Sequence, residues 1–336
     1  MTAFSILDLS SIVEGSTAGQ ALANSLDLAR HGEALGFKRF WMAEHHGMSG
    51  IASAATAVAL AHVAAGTKTI RIGSGGIMLP NHAPIMIAEQ FGTLAALHPG
   101  RIDLGLGRAP GSDQRVAQAL RRNLNTDANQ FPRDVMELQA FFADDPQLGI
   151  RAIPGAGEDV PLYILGSSLF GAQLAAALGL PFAFASHFAP GDLDEALAIY
   201  RRDFRPSAQL GQPYAMAAFN IFAADTDEEA MLLASSMQQA FVALRTGNPQ
   251  QLPPPVPDYR DTLPPQANAM LDQVLQASAI GSPETVSRKV AAFIERTRAD
   301  ELIISCQMFD HEARKRSFTI AAQVLGALTG SPSVDA

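Results

Sequence analysis

Between Phe37 and Gly111 the chain alternates short apolar runs with longer helical ones, and each apolar run stops at polar or glycine-rich residues. Phe37 to Ala43 is apolar and aromatic and ends in Glu44-His45-His46-Gly47. A helical run from about Ala52 to Ala65 follows. Ile70-Arg71-Ile72-Gly73 opens the next strand, which passes through Ser74-Gly75-Gly76 and continues to Pro80. Another helical run ends near His98. Ile102 to Gly107 is a further strand, ending at Arg108-Ala109-Pro110-Gly111. Strands separated by whole helices pair in parallel, because a parallel pair needs a long crossover. The expected fold is α/β: a (β/α)8 TIM barrel with its site where the strands end.

The rest of the chain extends the pattern. Phe4 to Leu9 is the first strand, and Thr17 to Gly32 a helix. Beyond Gly111 the spacing predicts a helix over Arg115 to Arg122, a polar loop from Asn123 to Gln130 and a helix from Arg133 to Phe142. Pro161 to Gly166, Pro181 to Ala185, Tyr214 to Phe222 and Glu301 to Cys306 complete eight strands. Helices follow at Leu169 to Leu178, at Asp192 to Phe204, from the acidic, cap-rich Asp225-Thr226-Asp227, from Ser282-Pro283 to about Arg298, and from His311 to Leu328. Thr246 to Pro265 breaks the pattern with Pro253-Pro254-Pro255-Val256-Pro257, which no central strand or helix interior accepts. It reads as an insertion after strand seven, on the site side. One domain is therefore expected over residues 1–336, with 246–280 as an insertion or lid and Gly330 to Ala336 as a loose tail.

Composition narrows the function. A chain of 336 residues that is 48% hydrophobic can bury a large core. Its formal charge of -9 and lack of a Lys/Arg cluster argue against nucleic acid and against anionic membranes. There is no basic segment followed by an apolar stretch and no apolar run near the ~20 residues of a membrane helix. The single cysteine, Cys306, sits in an apolar run and reads as a small buried hydrophobe, so a disulfide within the chain is excluded. A soluble, cytoplasmic protein is expected.

Several constellations carry chemistry, each with a plainer alternative. Ser167-Ser168 precedes a helix, with Gly171 one turn in; a helix start binds phosphate, but serine there also caps. Arg108 leaves its strand at the same rim. Ser74-Gly75-Gly76 allows a flat ring close approach, or merely a bulge or turn. His45 and His46 end a strand, where an imidazole can handle protons near neutrality. Adjacent strand residues point to opposite faces, so at most one of them joins distant metal ligands, and no metal site is assigned. His82 and His187 are candidates for the mouth; His62, His98 and His311 belong to the surface or a neighbouring shell. The Gly105-x-Gly107-x-x-x-Gly111 spacing is wrong for a dinucleotide fingerprint, and no triphosphate-binding loop is present. Met48, Met308 and Phe309 suit an apolar organic substrate or simple core packing.

The segments WMAEHHG, IGSGGIMLPNHAP, PGRIDLGLGRAPGSD and LYILGSSLFGAQLAAALGLPFAFA, in this order, resemble the bacterial luciferase-like, flavin-dependent monooxygenases over most of the chain. The resemblance implies that Ser167, Ser168, Gly171 and Arg108 hold the FMN phosphate, with Arg133 as a second arginine. It places a non-proline cis peptide at Gly75-Gly76, beside Ser74 and against the flavin ring, and makes His45 the catalytic acid or base. It implies reduced FMN supplied by a separate flavin reductase, O2 as co-substrate, a small organic, aldehyde- or ketone-like substrate, and a homodimer. Gly107 stands where the family's luciferases carry a cysteine, so behaviour dependent on that cysteine is not implied. Three other readings stay open: a deazaflavin-dependent hydride-transfer enzyme, a non-catalytic flavin-binding protein, and a metal-dependent barrel hydrolase.

Overall fold

The computed structural model describes residues 2–108, 118–120 and 130–329. Its strands are β1 (Ala3–Asp8), β2 (Arg39–Met42), β3 (Arg71–Met78), β4 (Ile102–Gly107), β5 (Leu162–Gly166), β6 (Phe182–Phe184), β7 (Ala215–Ala223), β8 (Ser278–Gly281) and β9 (Glu301–Ser305). The helices are α1 (Ala18–Ala34), α2 (Thr56–Ala65), α3 (Pro84–Leu97), α4 (Phe131–Phe142), α5 (Leu169–Leu178), α6 (Leu193–Asp203), α7 (Asp227–Arg245), α8 (Pro265–Val274), α9 (Pro283–Thr297) and α10 (His311–Thr329). Strands β1 to β7 and β9 close on themselves in the order β1-β2-β3-β4-β5-β6-β7-β9, every pairing parallel. This is the expected TIM barrel.

The helices begin where the chain offers caps. Thr226 accepts from the Glu229 N–H and Ser282 from the Thr285 N–H, and Asp227, Glu228 and Glu229 complement the dipole of α7. Two boundaries differ from expectation. Helix α2 starts only at Thr56, because Ser53 is drawn out of the helix to bond the carbonyls of Leu9 and Ala43. A ninth strand, β8, lies inside the segment expected as an insertion. Strand β7 is long enough to pair with β9 through Met216 to Asn220 and with β8 through Asn220 to Ala223, so β8 flanks the barrel. The expected loop from Asn123 and tail from Gly330 lie outside the described residues, as does Gly111; of the expected helix from Arg115 to Arg122, residues 118–120 are described and helical.

The Pro-rich stretch lies on the rim side. Leu252 is 3% exposed and pairs with Val13, its N–H donating to the Ile12 carbonyl and its carbonyl accepting from Glu14. The loop after β1 therefore clasps the insertion.

Alternation along β2 sets the interior of the barrel. Phe40 and Met42 pack outward under the helices, while Trp41 and Ala43 join Leu7, Tyr163, Ala183, Met216, Ala218 and Ile303 in the lumen. The Trp41 indole fills space that Gly73 vacates: a Cβ on Gly73 would lie 2.7 Å from Nε1. Below Trp41 the lumen closes on charge. Arg39 donates to Glu301 through Nε at 2.9 Å and to Asp103 through Nη1 at 2.7 Å. Arg71 and the Trp41 N–H also reach Asp103; Lys38, Ser5 and the Tyr214 hydroxyl reach Glu301. The floor is sealed by mutually satisfied charges, so the open end is the C-terminal one. Cys306 is buried as expected, and burial pushes its thiol up to about 11. Among the described residues no helix is long and apolar enough to cross a membrane.

Candidate active site at the barrel mouth

The inward series Arg39, Trp41, Ala43 continues at His45, which leaves β2 half-buried at the mouth. Its neighbour Glu44 turns the other way and is 1% exposed. The Glu44 carboxylate accepts from His46 Nε2 at 2.6 Å, from His82 Nε2 at 2.9 Å and from the Met78 N–H at 3.0 Å. Burial pushes this carboxyl up, but the His82 and His46 contacts and the Met78 N–H outweigh it, and its pKa falls below the ordinary value. An ionised carboxylate only accepts, so both Nε2 atoms carry protons. The Glu44 N–H also donates to the Gly76 carbonyl at 3.3 Å. Glu44 thus staples the exit of β2 to the exit of β3, on either side of His45. Sequence reasoning quoted Glu44 and gave it no role.

At that exit the Gly75–Gly76 peptide is cis, at the position the resemblance implied. The ladder to β4 also shifts register between Ser74 and Ile77, so the bulge and the cis bond occur together. A Cβ on Gly76 would meet the Gly105 carbonyl oxygen at 2.6 Å, so only glycine fits so close to β4. Ser74 is fully buried and its hydroxyl donates to the Gly105 carbonyl at 2.8 Å. Its hydroxyl proton is thus used between strands.

Across β4 and β5 a second group assembles. Arg108 is exposed at the end of β4, and its guanidinium stacks 4.1 Å from the ring centroid of Phe170, in the first turn of α5. Ser168 takes the extended N-cap conformation (φ -147, ψ 170), yet its side chain makes no capping bond. Ser168 therefore gives no side-chain cap, and the Arg108 guanidinium lies beside the first turn of α5. Gly171 is a packing residue: a Cβ there would lie 3.2 Å from Phe182 and 3.4 Å from the Gly166 Cα, so glycine lets α5 sit against β5. Arg133 is exposed in the first turn of α4, and only the family resemblance links it to this group.

The opposite wall carries His187, just past β6. Its Nδ1 is buried with no hydrogen-bond partner among the described residues. Burial, with a contribution from His45, pushes its pKa down to about 4. The mouth thus brings together His45, His187, the Gly75–Gly76 edge and the Arg108–α5 group, with the Glu44 brace behind them.

The model of the family described as luciferase-like monooxygenase matches residues 2–301. A luciferase-like monooxygenase of Escherichia coli (strain K12) is 54% identical over 329 residues, covering 98% of each chain. An N-acetyl-S-alkylcysteine monooxygenase of Bacillus subtilis (strain 168) is 40% identical over 256 residues, 74% of this chain and 75% of that one. Among solved structures, apo-MsnO8 superposes with a TM-score of 0.87 at 32% identity over 97% of this chain and 98% of its own. The same fold, at 17% identity, TM-score 0.70 and coverage of 97% and 98%, occurs in the FMN complex of the oxygenating constituent of 3,6-diketocamphane monooxygenase from Pseudomonas putida. It also occurs, at 15% identity, TM-score 0.65 and coverage of 94% and 97%, in an F420-dependent secondary alcohol dehydrogenase. With most of its length matched by the family model and a relative sharing more than half its residues, this chain belongs to the luciferase-like monooxygenase family.

Proposed function

We propose that this chain is the oxygenating component of a two-component, FMN-dependent monooxygenase. The observation that carries the reading is the stacked Arg108 guanidinium at the N-terminus of α5, which Ser168 leaves without a side-chain cap. A cation and free helix N–H groups form a donor set for a phosphate ester. The residues present fit FMN: Arg108, Ser167, Ser168 and the start of α5 would hold the phosphate, Arg133 would add a second cation, and the Gly75–Gly76 edge would lie against the ring. Bound in reduced form, FMN supplies the electrons with which O2 is split between product and water. The protein's part is position, dryness and protons. Trp41, Leu7 and Tyr163 close the lumen beneath the site and keep bulk water out from below. His45 gives or takes a proton at the imidazole nitrogen that faces the mouth. Glu44 fixes the backbone on both sides of it. The absence of a dinucleotide fingerprint in the sequence supports a separate reductase as the source of reduced FMN.

Glu44, His46 and His82 bring one donor atom each to within 4.8 Å of one another, close enough for a cation. We read them as a brace, because a metal would have to displace both imidazole protons from the carboxylate.

The second reading, hydride transfer with the deazaflavin coenzyme, is favoured by the shared fold of the F420-dependent alcohol dehydrogenase. Isotope incorporation separates the two. Purified protein given chemically reduced FMN, a panel of aldehydes, ketones and thioethers, and O2 enriched in the heavy oxygen isotope is expected to place one labelled atom in the product. Reduction or oxidation of a substrate by deazaflavin without label would establish the alternative instead.

We also propose a homodimer. Val58, Met86 and Leu97 on α2 and α3 are 72%, 52% and 64% exposed, an apolar strip on the outer wall. Sedimentation equilibrium is expected to give twice the 35.5 kDa chain mass, and Val58→Asp is expected to shift the mass toward the monomer. A monomer at all concentrations would refute the proposal.

A further inference from the structure

We propose that His187 forms a hydrogen-bonding subsite that seats a neutral oxygen-bearing group of the substrate, a carbonyl or hydroxyl, across the mouth from His45; the proposal rests on the mouth being the substrate site. Position comes first. In the closed barrel β2 and β6 are separated by three strands in either direction, so His45 and His187 leave from opposite walls. His45 nevertheless opposes positive charge on His187. Both residues follow the C-terminal ends of their strands, so both stand at the mouth, near enough for one charge to disfavour the other.

The second argument is the orphaned atom. His187 Nδ1 is shielded from water and lacks a partner among the described residues. A buried polar atom left unmade is costly, and such atoms in native proteins call for a ligand or water. The residue is also held in place. Its carbonyl accepts from Asn220 Nδ2 at 2.8 Å, and the same amide reaches Ser278 Oγ at 3.2 Å. The preceding Ser186 donates to the Ala218 carbonyl, and Ala185 N–H to the Gly166 carbonyl. The backbone that carries the ring is thus tied to β5, β7 and β8, which limits the ordering left for binding to the side chain itself.

Chemistry then sets the class of ligand. With a pKa pushed down to about 4, the imidazole is neutral at working pH. A neutral imidazole offers an N–H or a lone pair at Nδ1, depending on tautomer. It therefore serves a carbonyl or a hydroxyl and gives no counter-charge to a carboxylate or phosphate. Leu9 and Leu165, partly buried against the lumen cluster, add apolar surface toward the strand ends.

The test uses cyclohexanone, cyclohexanol and cyclohexane as probes on protein labelled with nitrogen isotope in histidine, with and without oxidised FMN. In the unaltered protein the two oxygenated probes are expected to move the His187 Nδ1 resonance, and cyclohexane to leave it in place. In His187→Phe, which keeps most of the volume, the cyclohexanone-over-cyclohexane affinity ratio is expected to fall about 10-fold. An unmoved Nδ1 resonance, or a ratio preserved in the variant, overturns the proposal. The resonance is read on unaltered protein, so the test stands even where the variant does not fold. Loss of FMN binding with the probe response intact would sink the flavin reading and leave the subsite; intact FMN binding with no probe response would sink the subsite alone.

Discussion

Glu301→Ala is expected to cost the fold about 3–5 kcal/mol, the usual penalty for stranding one partner of a buried ion pair. Glu301 is fully buried and anchors the barrel floor. Burial alone would raise its pKa, but the Arg39 and Lys38 charges and the Ser5 and Tyr214 hydroxyls outweigh that effect, and the group lies below its ordinary value. Without it, Asp103 is the one carboxylate left to Arg39 among the described residues, and the Tyr214 hydroxyl at 2.6 Å loses its acceptor. Because the folded-state pKa is depressed, this stabilisation is present above the ordinary value of 4.5 and is lost as pH falls through the folded-state pKa. Urea unfolding at neutral pH is the measurement. A loss below about 1 kcal/mol would mean that water reaches the floor and that the lumen is not sealed from below.

His45→Ala is expected to lower product formation by roughly a hundred- to ten-thousand-fold, the span typical of a lost acid or base, while FMN binding changes only a few fold. The two effects are expected to separate because His45 follows β2, whereas the proposed phosphate donors follow β4 and open α5. Single-turnover mixing of the reduced FMN complex with O2 and substrate should show oxidising equivalents leaving as hydrogen peroxide. Product at the unaltered yield would make His45 structural. Loss of FMN binding would move it into the cofactor site.

The sequence exposed the eight barrel strands because buried parallel strands are continuous apolar runs punctuated at their ends. It missed β8, whose four residues, Ser-Ala-Ile-Gly, carry no run or alternation to read. The inward position of His45 follows from counting by twos from Trp41. The brace on Glu44 does not, because its partners Met78 and His82 are 34 and 38 residues away and meet it only through strand pairing. The floor was invisible for the same reason, although Arg39, Asp103 and Glu301 did leave a signal: single charges inside apolar strands, which demand partners. At Ser74 the sequence shows less than the strand pairing does. A serine beside paired glycines reads as a ligand contact, and only the register with β4 reveals that its hydroxyl bonds the Gly105 carbonyl. His187 was a candidate for the mouth in the sequence, but neither its orphaned nitrogen nor its strand opposite His45 can be read without the closed barrel.

The proposed use of FMN rests on the phosphate site proposed at Arg108 and α5, and cofactor binding tests it most directly. Purified protein and Arg108→Ala are titrated with FMN, riboflavin and the deazaflavin coenzyme, oxidised and reduced. The unaltered protein is expected to prefer FMN over both others. Arg108→Ala should lose about 1.5–3 kcal/mol toward FMN and little toward riboflavin, because a charge-assisted contact to phosphate alone has been removed. Tighter binding of the deazaflavin, or equal losses for FMN and riboflavin, would contradict the account.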